Sequence, residues 1–510
     1  MKPSKLLKSL ICVIMAVLML VTAVACNNDA STPANTTAAQ GETTKSPSSG
    51  GTDLGDEADE EALYKPAEKD FDRDFKILTN GNGSAGDMNL YMAEAQDYTG
   101  NVINDALFRR QLYMEEIYGV SVLVEVDSAA YDRLSVQLNA GTFVCDLSLI
   151  NAVNTFALAQ MGLLVDLAQL ESLNLEASYW DQRIQSEYAI GDRLYMLEGD
   201  FTINDELRTY VVLYNDTLYD KYGYYDEYGS PYDMVKDETW TLDKMLAMSK
   251  DMYLDNNNNQ VRDEQDTYGI VGELTLCYYA FLGSGLKTIA NNNGQMTLLI
   301  KDNTFYSMIY DTLEDTMQMA LNDDILMPQL LTDSSDIWGA ASSVFENNRA
   351  LFRTTSLSAA LRLTNMESLF GILPIPAYTE EQGGYYCWVS GNNHCPAAIP
   401  KSVPNAAENA EILEIFCYSS RYMEDSLYVS FYEVFRLAKL CRTPEDVEML
   451  ELVFNSKTFD FDQTTKITGI ESALYSLAKS RDLTSLSSTI SGLRSSAQAN
   501  LNSFLLKMVS

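Results

Sequence analysis

Residues 255–266 carry side-chain oxygens at a spacing that would let one loop surround a hard cation. Positions 1, 3, 5, 9 and 12 of this loop hold carboxylates or amides, and position 7 offers a backbone carbonyl: Asp255, Asn257, Asn259, Asp263, Asp266 and Val261. Calcium takes about six to eight such oxygen ligands. The pattern predicts a structural Ca²⁺ site; the alternative is an Asn-rich turn without metal.

Two positions depart from the usual calcium-loop pattern. Gln260 stands at position 6, where a sharp turn with positive φ favours glycine. Asp266 stands at position 12, where the longer glutamate would reach the ion more easily. We therefore expect weak binding, with a dissociation constant of about 10⁻⁴–10⁻³ M. No organic cofactor is predicted.

The composition excludes several classes of function. The chain has 510 residues, 35 Lys and Arg, 72 Asp and Glu, one His and a formal net charge of −37. Phosphates would be repelled, so no nucleic-acid partner is expected. A single imidazole, His394, excludes a His-based zinc centre. With no Walker loop or GxSxG element in the sequence, the protein is not expected to be an enzyme.

The N-terminus resembles a bacterial lipoprotein signal. Three lysines precede an apolar run over 10–24, which ends in Ala23-Val24-Ala25-Cys26. The resemblance implies a signal peptide over 1–25, cleavage before Cys26 and lipidation of its thiol, including palmitate. Residues 26–72 are Ser/Thr/Asn-rich and then acidic, which predicts a disordered tether. The expected location is the outer face of the cell membrane, held by the lipid alone. The alternatives are a plain signal peptide or a single membrane anchor.

Farther along the chain, strand and helix patterns alternate. Strands are predicted at 75–79, 121–126, 146–150, 209–214 and 350–354, and helices at 103–118, 131–138, 240–253, 305–322 and from 406 onward. This alternation indicates parallel βαβ units. Ligands of such sheets lie beyond the carboxyl ends of the strands. Asn80, Asn82 and Asn151 therefore become candidate ligand contacts, with a turn role as the alternative.

Several motifs occur in the order found in the extracellular solute-binding lipoproteins of bacterial ABC importers, and the chain resembles the family 1-like group that includes many sugar binders. The resemblance covers about 74–422 and rests on these motifs: Asn104-Asp105-Ala106, Ala140-Gly141-Thr142, Gly162-Leu163-Leu164-Val165-Asp166-Leu167, Tyr179-Trp180-Asp181, Tyr214-Asn215-Asp216, Trp240-Thr241-Leu242-Asp243, Phe345-Glu346-Asn347-Asn348-Arg349-Ala350-Leu351-Phe352 and Gly371-Ile372-Leu373-Pro374-Ile375-Pro376.

The resemblance implies an α/β, two-lobe periplasmic-binding-protein-like fold (type II). Its lobes are discontinuous and joined by hinge strands, and its C-terminal part is helical. We expect lobe one at 73–198 plus 350–400 and lobe two at 199–349 plus 401–510. A solute bound in the interlobe cleft would favour the closed state. The expected partners are ABC-transporter permease subunits, and the expected state is a monomer.

A sugar site would combine aromatic faces with polar side chains that bind hydroxyls. Around the expected crossings between the lobes, the candidates are Asp200, Trp338, Arg353, Tyr386 and Trp388. Each could instead be core or hinge packing. The expected ligand is a sugar or oligosaccharide, with peptides, polyols and other solutes as alternatives. The rival functions are a cell-surface glycan-binding adhesin and a glycoside hydrolase.

Six cysteines follow Cys26, and their spacing fits no metal-binding template. Cys387 and Cys395 flank a possible turn at Gly391-Asn392-Asn393, so they could pair across a hairpin. The alternative is that all six are free, buried thiols.

Overall fold

Two β-sheets frame the protein in a computed structural model that describes residues 65–81, 95–331, 336–363 and 366–509. The predicted signal peptide, Cys26 and most of the predicted tether lie outside these ranges. Within the ranges, every helix is too short or too polar to cross a membrane.

The first sheet has four strands in the order β12-β3-β1-β2. Strands β1 (Arg73–Thr79), β2 (Val120–Val126) and β3 (Leu147–Leu149) are parallel, and β12 (Ala397–Ala398) pairs antiparallel with β3. Helices Val102–Tyr118 and Ala130–Asn139 connect the parallel strands. The predicted βαβ arrangement of lobe one is confirmed.

The second sheet has five strands in the order β10-β4-β9-β5-β8. They are β4 (Tyr210–Asn215), β5 (Tyr268–Val271), β8 (Ile325–Leu326), β9 (Ala350–Ser356) and β10 (Phe370–Leu373). Only β4 runs opposite to the others in this sheet. The carboxyl ends of four strands therefore lie at one edge, beside the start of β4.

The remaining elements surround these two sheets. The other helices are Ala152–Gln160, Gln182–Tyr188, Asn204–Arg208, Asp216–Lys221, Tyr224–Glu227, Pro231–Lys236, Leu242–Ser249, Leu276–Gly283, Asn303–Met317, Ile337–Glu346, Ala406–Tyr422, Leu427–Val429, Pro444–Asn455, Phe461–Thr465, Ile470–Ser480 and Leu486–Val509. A π-helix spans Ser430–Leu440, and short strand pairs join β6 (Ala290–Asn292) to β7 (Gln295–Thr297) and β11 (Cys387–Trp388) to β13 (Lys457–Thr458).

The observed sheets differ from the predicted lobe boundaries in two places. Strands β9 and β10 belong to the second sheet, although 350–400 was expected in lobe one. Helix Ala406–Tyr422 packs against the first sheet, where Phe416 and Leu413 share a core with Phe75. Both differences arise because sheet membership depends on distant pairing partners, which local sequence patterns do not reveal.

Two chain segments, 197–209 and 389–397, form the hinge between the sheets. They are bridged antiparallel at both ends, by Leu197 with Ala397 and by Thr209 with Val389. The first segment contains the short helix Asn204–Arg208, which we call the hinge helix. All five of its residues are buried, although most of them are charged. Buried charges are stable only when they are paired, so this helix needs partners from elsewhere in the chain.

Lys457, on β13, supplies most of that pairing. Its Nζ forms ion pairs with Asp205 and, at 3.1 Å, with Glu206, both on the hinge helix. Asp181 lies 3.5 Å away on the lobe-one side. Burial alone would lower the pKa of Lys457, but the three carboxylates raise it above its usual range. One cation from the C-terminal region therefore joins the hinge helix to lobe one.

The chain that follows Lys457 packs between the two lobes. The Phe459 ring lies 5.9 Å from the Tyr188 ring and 5.3 Å from the His394 ring, centroid to centroid. On the other side, Lys287 Nζ donates to the Phe459 carbonyl at 3.1 Å, and Thr288 Oγ1 donates to an Asp462 carboxylate oxygen at 2.5 Å. The C-terminal region thus contacts both lobes, where the sequence placed it in lobe two alone.

We predict that Lys457→Met lowers the free energy of unfolding by about 3–5 kcal/mol, because it leaves buried carboxylates without their cation. Lys236→Met is the matched control, since Lys236 pairs with Glu448 on the exposed surface. Its cost should stay within about 1 kcal/mol. Urea unfolding measures both variants, and equal costs for the two would contradict the role assigned to Lys457.

Candidate functional site

The candidate site is the space between the carboxyl edges of the two sheets, where ligands bind in open α/β folds. Asn80 follows β1 on the lobe-one side, whereas Glu273 follows β5 and Tyr210 begins β4 on the lobe-two side. Cys395, from the hinge, donates from its Sγ to Asn80 Oδ1 at 3.6 Å. The hinge therefore reaches the lobe-one edge directly.

The three predicted asparagines have different positions. Asn80 lies at the edge, as its place after a strand predicts. Asn151 also follows a strand, but its Oδ1 accepts from the Asn154 backbone N–H at 2.9 Å and caps helix Ala152–Gln160. Its side chain therefore has the turn role that was the alternative. Asn82 lies outside the described residues.

Trp338 is an exposed aromatic side chain at the lobe-two edge. It lies in the first turn of helix Ile337–Glu346, which connects the parallel strands β8 and β9. A connecting helix runs back along its strands, so its first turn lies at their carboxyl edge. The Trp338 residue is 40% exposed. Stacking on a sugar needs an exposed ring, so the stacking role of Trp338 stays a prediction.

Trp388 is a core residue in this structure, contrary to its predicted stacking role. It is only 1% exposed. Its ring packs against Tyr279 at 4.4 Å and Tyr210 at 5.0 Å, centroid to centroid. The sequence could not show this enclosure, because both tyrosines come from distant elements. Trp388 Nε1 is buried and has no hydrogen-bond acceptor in the described part of the chain.

Tyr386 is 39% exposed, but it lies apart from the edge residues. Its ring covers Gly285, where a Cβ atom would come within 2.5 Å of Tyr386 Cε2. Gly285 also has a φ of +75°, which favours glycine. The helix Leu276–Gly283, about 12 Å long, separates this position from Glu273.

Two other predicted ligand residues have structural partners. Arg353 lies within β9 and is buried, and its Nη2 donates to Ser342 Oγ at 3.0 Å. Asp200 forms a 3.1 Å ion pair with Arg421. Burial raises the pKa of Asp200 to about 6, against the opposing effect of Arg421. Asp200 therefore attaches the hinge to helix Ala406–Tyr422.

Sequence reasoning missed Arg208, Tyr210, Glu273 and Tyr279. Tyr210 donates from its hydroxyl to Glu273 Oε1 at 3.0 Å. Burial raises the pKa of Glu273 to about 7, although the hydrogen bond from Tyr210 and the charge of Arg353 oppose this shift. The positions of Glu273 after β5 and of Arg208 before β4 were the only signals in the sequence.

The predicted calcium loop is closed at its base by two 3.0 Å hydrogen bonds between Leu254 and Thr267. Inside it, the Nδ2 atoms of Asn257 and Asn259 donate to the same Asp263 Oδ2, at 3.0 and 2.8 Å. Burial alone would raise the pKa of Asp263, but hydrogen bonds from the Gln265 backbone and from the two asparagines lower it. Three predicted ligands thus converge on one point.

The start of this loop makes the turn that the predicted pattern requires. Asp255 accepts the backbone N–H groups of Asn259 and Gln260 at 3.2 and 2.9 Å. Gln260 has a φ of +58°, so position 6 makes the left-handed turn without glycine.

Asp266 does not have the geometry expected at position 12. It is buried, and its carboxylate already accepts from the Asn256 and Asp263 backbone N–H groups and from the Tyr253 hydroxyl. No set of three or more His, Cys, Asp or Glu side chains within the described ranges is placed to hold a metal. Any cation here would depend on the asparagine oxygens.

The cysteines of the described chain are free thiols. Cys387 pairs through its backbone with β13, whereas Cys395 lies at the hinge beside Asn80. The two residues belong to different elements and do not form the disulfide that was one of the predicted alternatives.

A pocket of about 430 Å³ lies on lobe one, away from the candidate site. It is lined by Leu164, Asp166, Gln169, Asp192, Arg193, Tyr195 and Lys401. None of the predicted ligand residues lines it.

Comparison with known proteins identifies the fold class. No protein-family model and no curated protein matches the chain. A solved structure is similar: the maltose/maltodextrin-binding domain MalE from Bdellovibrio bacteriovorus bound to maltotriose, with a TM-score of 0.51 and 14% sequence identity. The match covers 84% of this chain and 100% of that chain. The protein therefore has the two-lobe α/β fold of periplasmic solute-binding proteins, as predicted.

We predict that Glu273→Gln flattens the pH dependence of stability. The raised pKa of Glu273 means that the folded state binds this proton more tightly than the unfolded state does. The free energy of unfolding should therefore fall as the pH rises from about 5 to 7.5, by about 2–3 kcal/mol from this group.

Chemical denaturation across this pH range measures the fall in each protein. Glu116→Gln, on the exposed face of helix Val102–Tyr118, is the control and should retain the wild-type slope. An unchanged slope in Glu273→Gln would show that Glu273 does not titrate in this range.

Proposed function

We propose that this protein captures a saccharide in the cleft between its two lobes. The observation that carries the proposal is the exposed Trp338, which lies in the first turn of the helix between β8 and β9, at the same edge of the second sheet as Tyr210 and Glu273. An aromatic face with hydrogen-bonding groups is the combination that sugars need. The similar solved protein is described as bound to maltotriose.

Two further parts of the proposal come from the N-terminal sequence and the fold class. Lipidation of Cys26 would hold the binding lobes on the outer face of the membrane. The tether would be shorter than the predicted 26–72, because residues 65–72 pack on lobe one, where the Phe71 N–H donates to the Tyr118 carbonyl at 2.8 Å. The closed, loaded protein would then deliver its solute to an ABC-importer permease. Closure follows from ligand contacts that exist only when both lobes meet.

We predict that at least one oligosaccharide in a panel of neutral and acidic trimers raises the melting temperature. Trp338→Ala should then weaken that binding by about 1–3 kcal/mol, the range measured for stacking on an aromatic side chain. Calorimetric titration gives the affinities. Tyr222→Ala removes an exposed ring elsewhere on lobe two and should bind normally. A panel without any binder would contradict the saccharide proposal.

We also propose that the loop 255–266 binds calcium as a structural ion. Asp255, Asn257, Asn259 and Asp263 would hold it, together with the Val261 carbonyl. The side chains of Asn257, Asn259 and Asp263 lie close together, which supports this proposal. Calcium binding would require both amides to turn their oxygens toward the ion, in place of the N–H groups that now donate to Asp263. The ion would fix a loop beside β5 and would not contact the ligand.

The calcium proposal predicts that millimolar Ca²⁺ raises the melting temperature of chelator-treated protein by a few degrees and that Asp263→Ala abolishes this rise. Mg²⁺ at the same concentration controls for general screening of a chain with a net charge of −37. Asp220→Ala removes an exposed carboxylate of the same lobe and should respond normally. Equal shifts with both metals, or in both variants, would contradict a specific site.

A further inference from the structure

Arg208 is a buried cation two residues before Tyr210, which lies at the edge of the candidate site. It ends the hinge helix and directly precedes the residues that begin β4. The Leu357 backbone N–H donates to the Thr209 carbonyl at 2.8 Å, which fixes the chain next to Arg208 at the carboxyl edge of β9. Arg208 is only 8% exposed. Its position is therefore set by the hinge, and its charge is largely removed from water.

The Arg208 guanidinium has no partner in the described part of the protein. Its Nε and Nη2 atoms are buried without a hydrogen-bond acceptor. The titratable groups close enough to influence the pKa of Arg208 are Cys395, Tyr210 and Arg362. Burial raises the pKa of Cys395 to about 12 and that of Tyr210 well above its usual value, so both are neutral. Arg362 carries the same charge as Arg208. No carboxylate of the described chain balances this cation.

Lys457 is a second buried cation beside the hinge helix, and it differs from Arg208 because it has carboxylate partners. Lys457, on β13, is buried against the same hinge helix, and three carboxylates surround it. The chain has 72 acidic residues against 35 basic ones, so a carboxylate partner is the common outcome. A buried unpaired charge destabilises a fold, and arginine cannot escape this cost by losing its proton.

A second donor near Tyr210 also lacks an acceptor among the described residues. Trp388 Nε1 is buried without a hydrogen-bond partner there. The Trp388 ring lies 5.0 Å from the ring of Tyr210, and Tyr210 begins β4 two residues after Arg208. The full positive charge belongs to Arg208, and a ligand carboxylate would balance it.

We propose that Arg208 binds a carboxylate of the ligand and that the captured solute is an acidic saccharide containing uronic acid. This proposal rests on the saccharide-binding function proposed above. The planar guanidinium fork matches a carboxylate with two parallel hydrogen bonds. Arg208 would then bind the carboxylate of the ligand, while Trp338 would stack on the face of a sugar ring.

The test compares oligouronide trimers of galacturonate, glucuronate, mannuronate and guluronate with their methyl esters and with maltotriose. Esterification removes the charge and keeps the sugar ring. We expect at least one acid to bind at least about tenfold more tightly than its ester, and Arg208→Met to remove that preference. Arg208→Lys keeps the charge without the fork and should give an intermediate affinity. Arg481→Gln, which removes a partly exposed arginine paired with Asp323, is the control.

The stability of the unliganded protein gives a second, independent readout. Arg208→Met keeps most of the apolar stem and removes the unpaired charge, so its melting temperature should equal or exceed that of wild type. If Arg208 were instead a structural residue, the variant would melt earlier. A lower melting temperature in both Arg208→Met and Arg208→Lys would overturn the ligand role.

The binding results distinguish the acidic-ligand proposal from the more general proposal of saccharide capture. Tight binding of a neutral trimer that Arg208→Met leaves unchanged would overturn the acidic ligand and retain saccharide capture. Binding of sulfated trimers alone would overturn the carboxylate. If neither acidic nor neutral trimers bind, both proposals fail.

Discussion

The ion cluster around Lys457 is the interaction on which the rest of the architecture depends. Lys457 comes from near the C-terminus, Asp205 and Glu206 from the hinge helix, and Asp181 from lobe one. Without the lysine, Asp205 and Glu206 would lose their cation, whereas Asp181 would keep its ion pair with Arg183, and the buried hinge helix would be destabilised. The cluster also brings β13 beside β11, so that Phe459 and Phe461 extend the core between the lobes.

Buried acidic and basic side chains of this protein differ in how they can avoid an unpaired charge. Burial raises the pKa of Glu198 well above its usual value, and Glu198 takes no hydrogen bond at either oxygen from the described residues. Burial likewise raises the pKa of Asp460 to about 7. A carboxyl group can remain buried by keeping its proton, but an arginine has no neutral form to adopt. Arg208 is therefore the group at this hinge for which an external partner matters most.

The functional surfaces follow the direction of the strands. Carboxyl ends of parallel strands meet at one edge of each sheet, so residues far apart in sequence, such as Asn80, Glu273 and Trp338, come to the same space. The calcium loop precedes β5 and lies at the opposite end of that strand from Glu273. A cation there would stabilise lobe two without taking part in recognition, which agrees with a structural role.

Local sequence patterns were enough to predict individual strands and the loop 255–266. Alternating apolar runs predicted β1, β2 and β4, and the spacing 255–266 predicted a loop in which Asn257, Asn259 and Asp263 do converge. Long-range packing instead places β9 and β10 in the second sheet, encloses Trp388 with Tyr210 and Tyr279, and leaves Arg208 without a counter-ion among the described residues. The two groups of features differ in how far apart in the sequence the interacting residues lie. Periodicity and capping act between neighbours in the chain, whereas burial, strand pairing and charge balance depend on residues brought together from far apart.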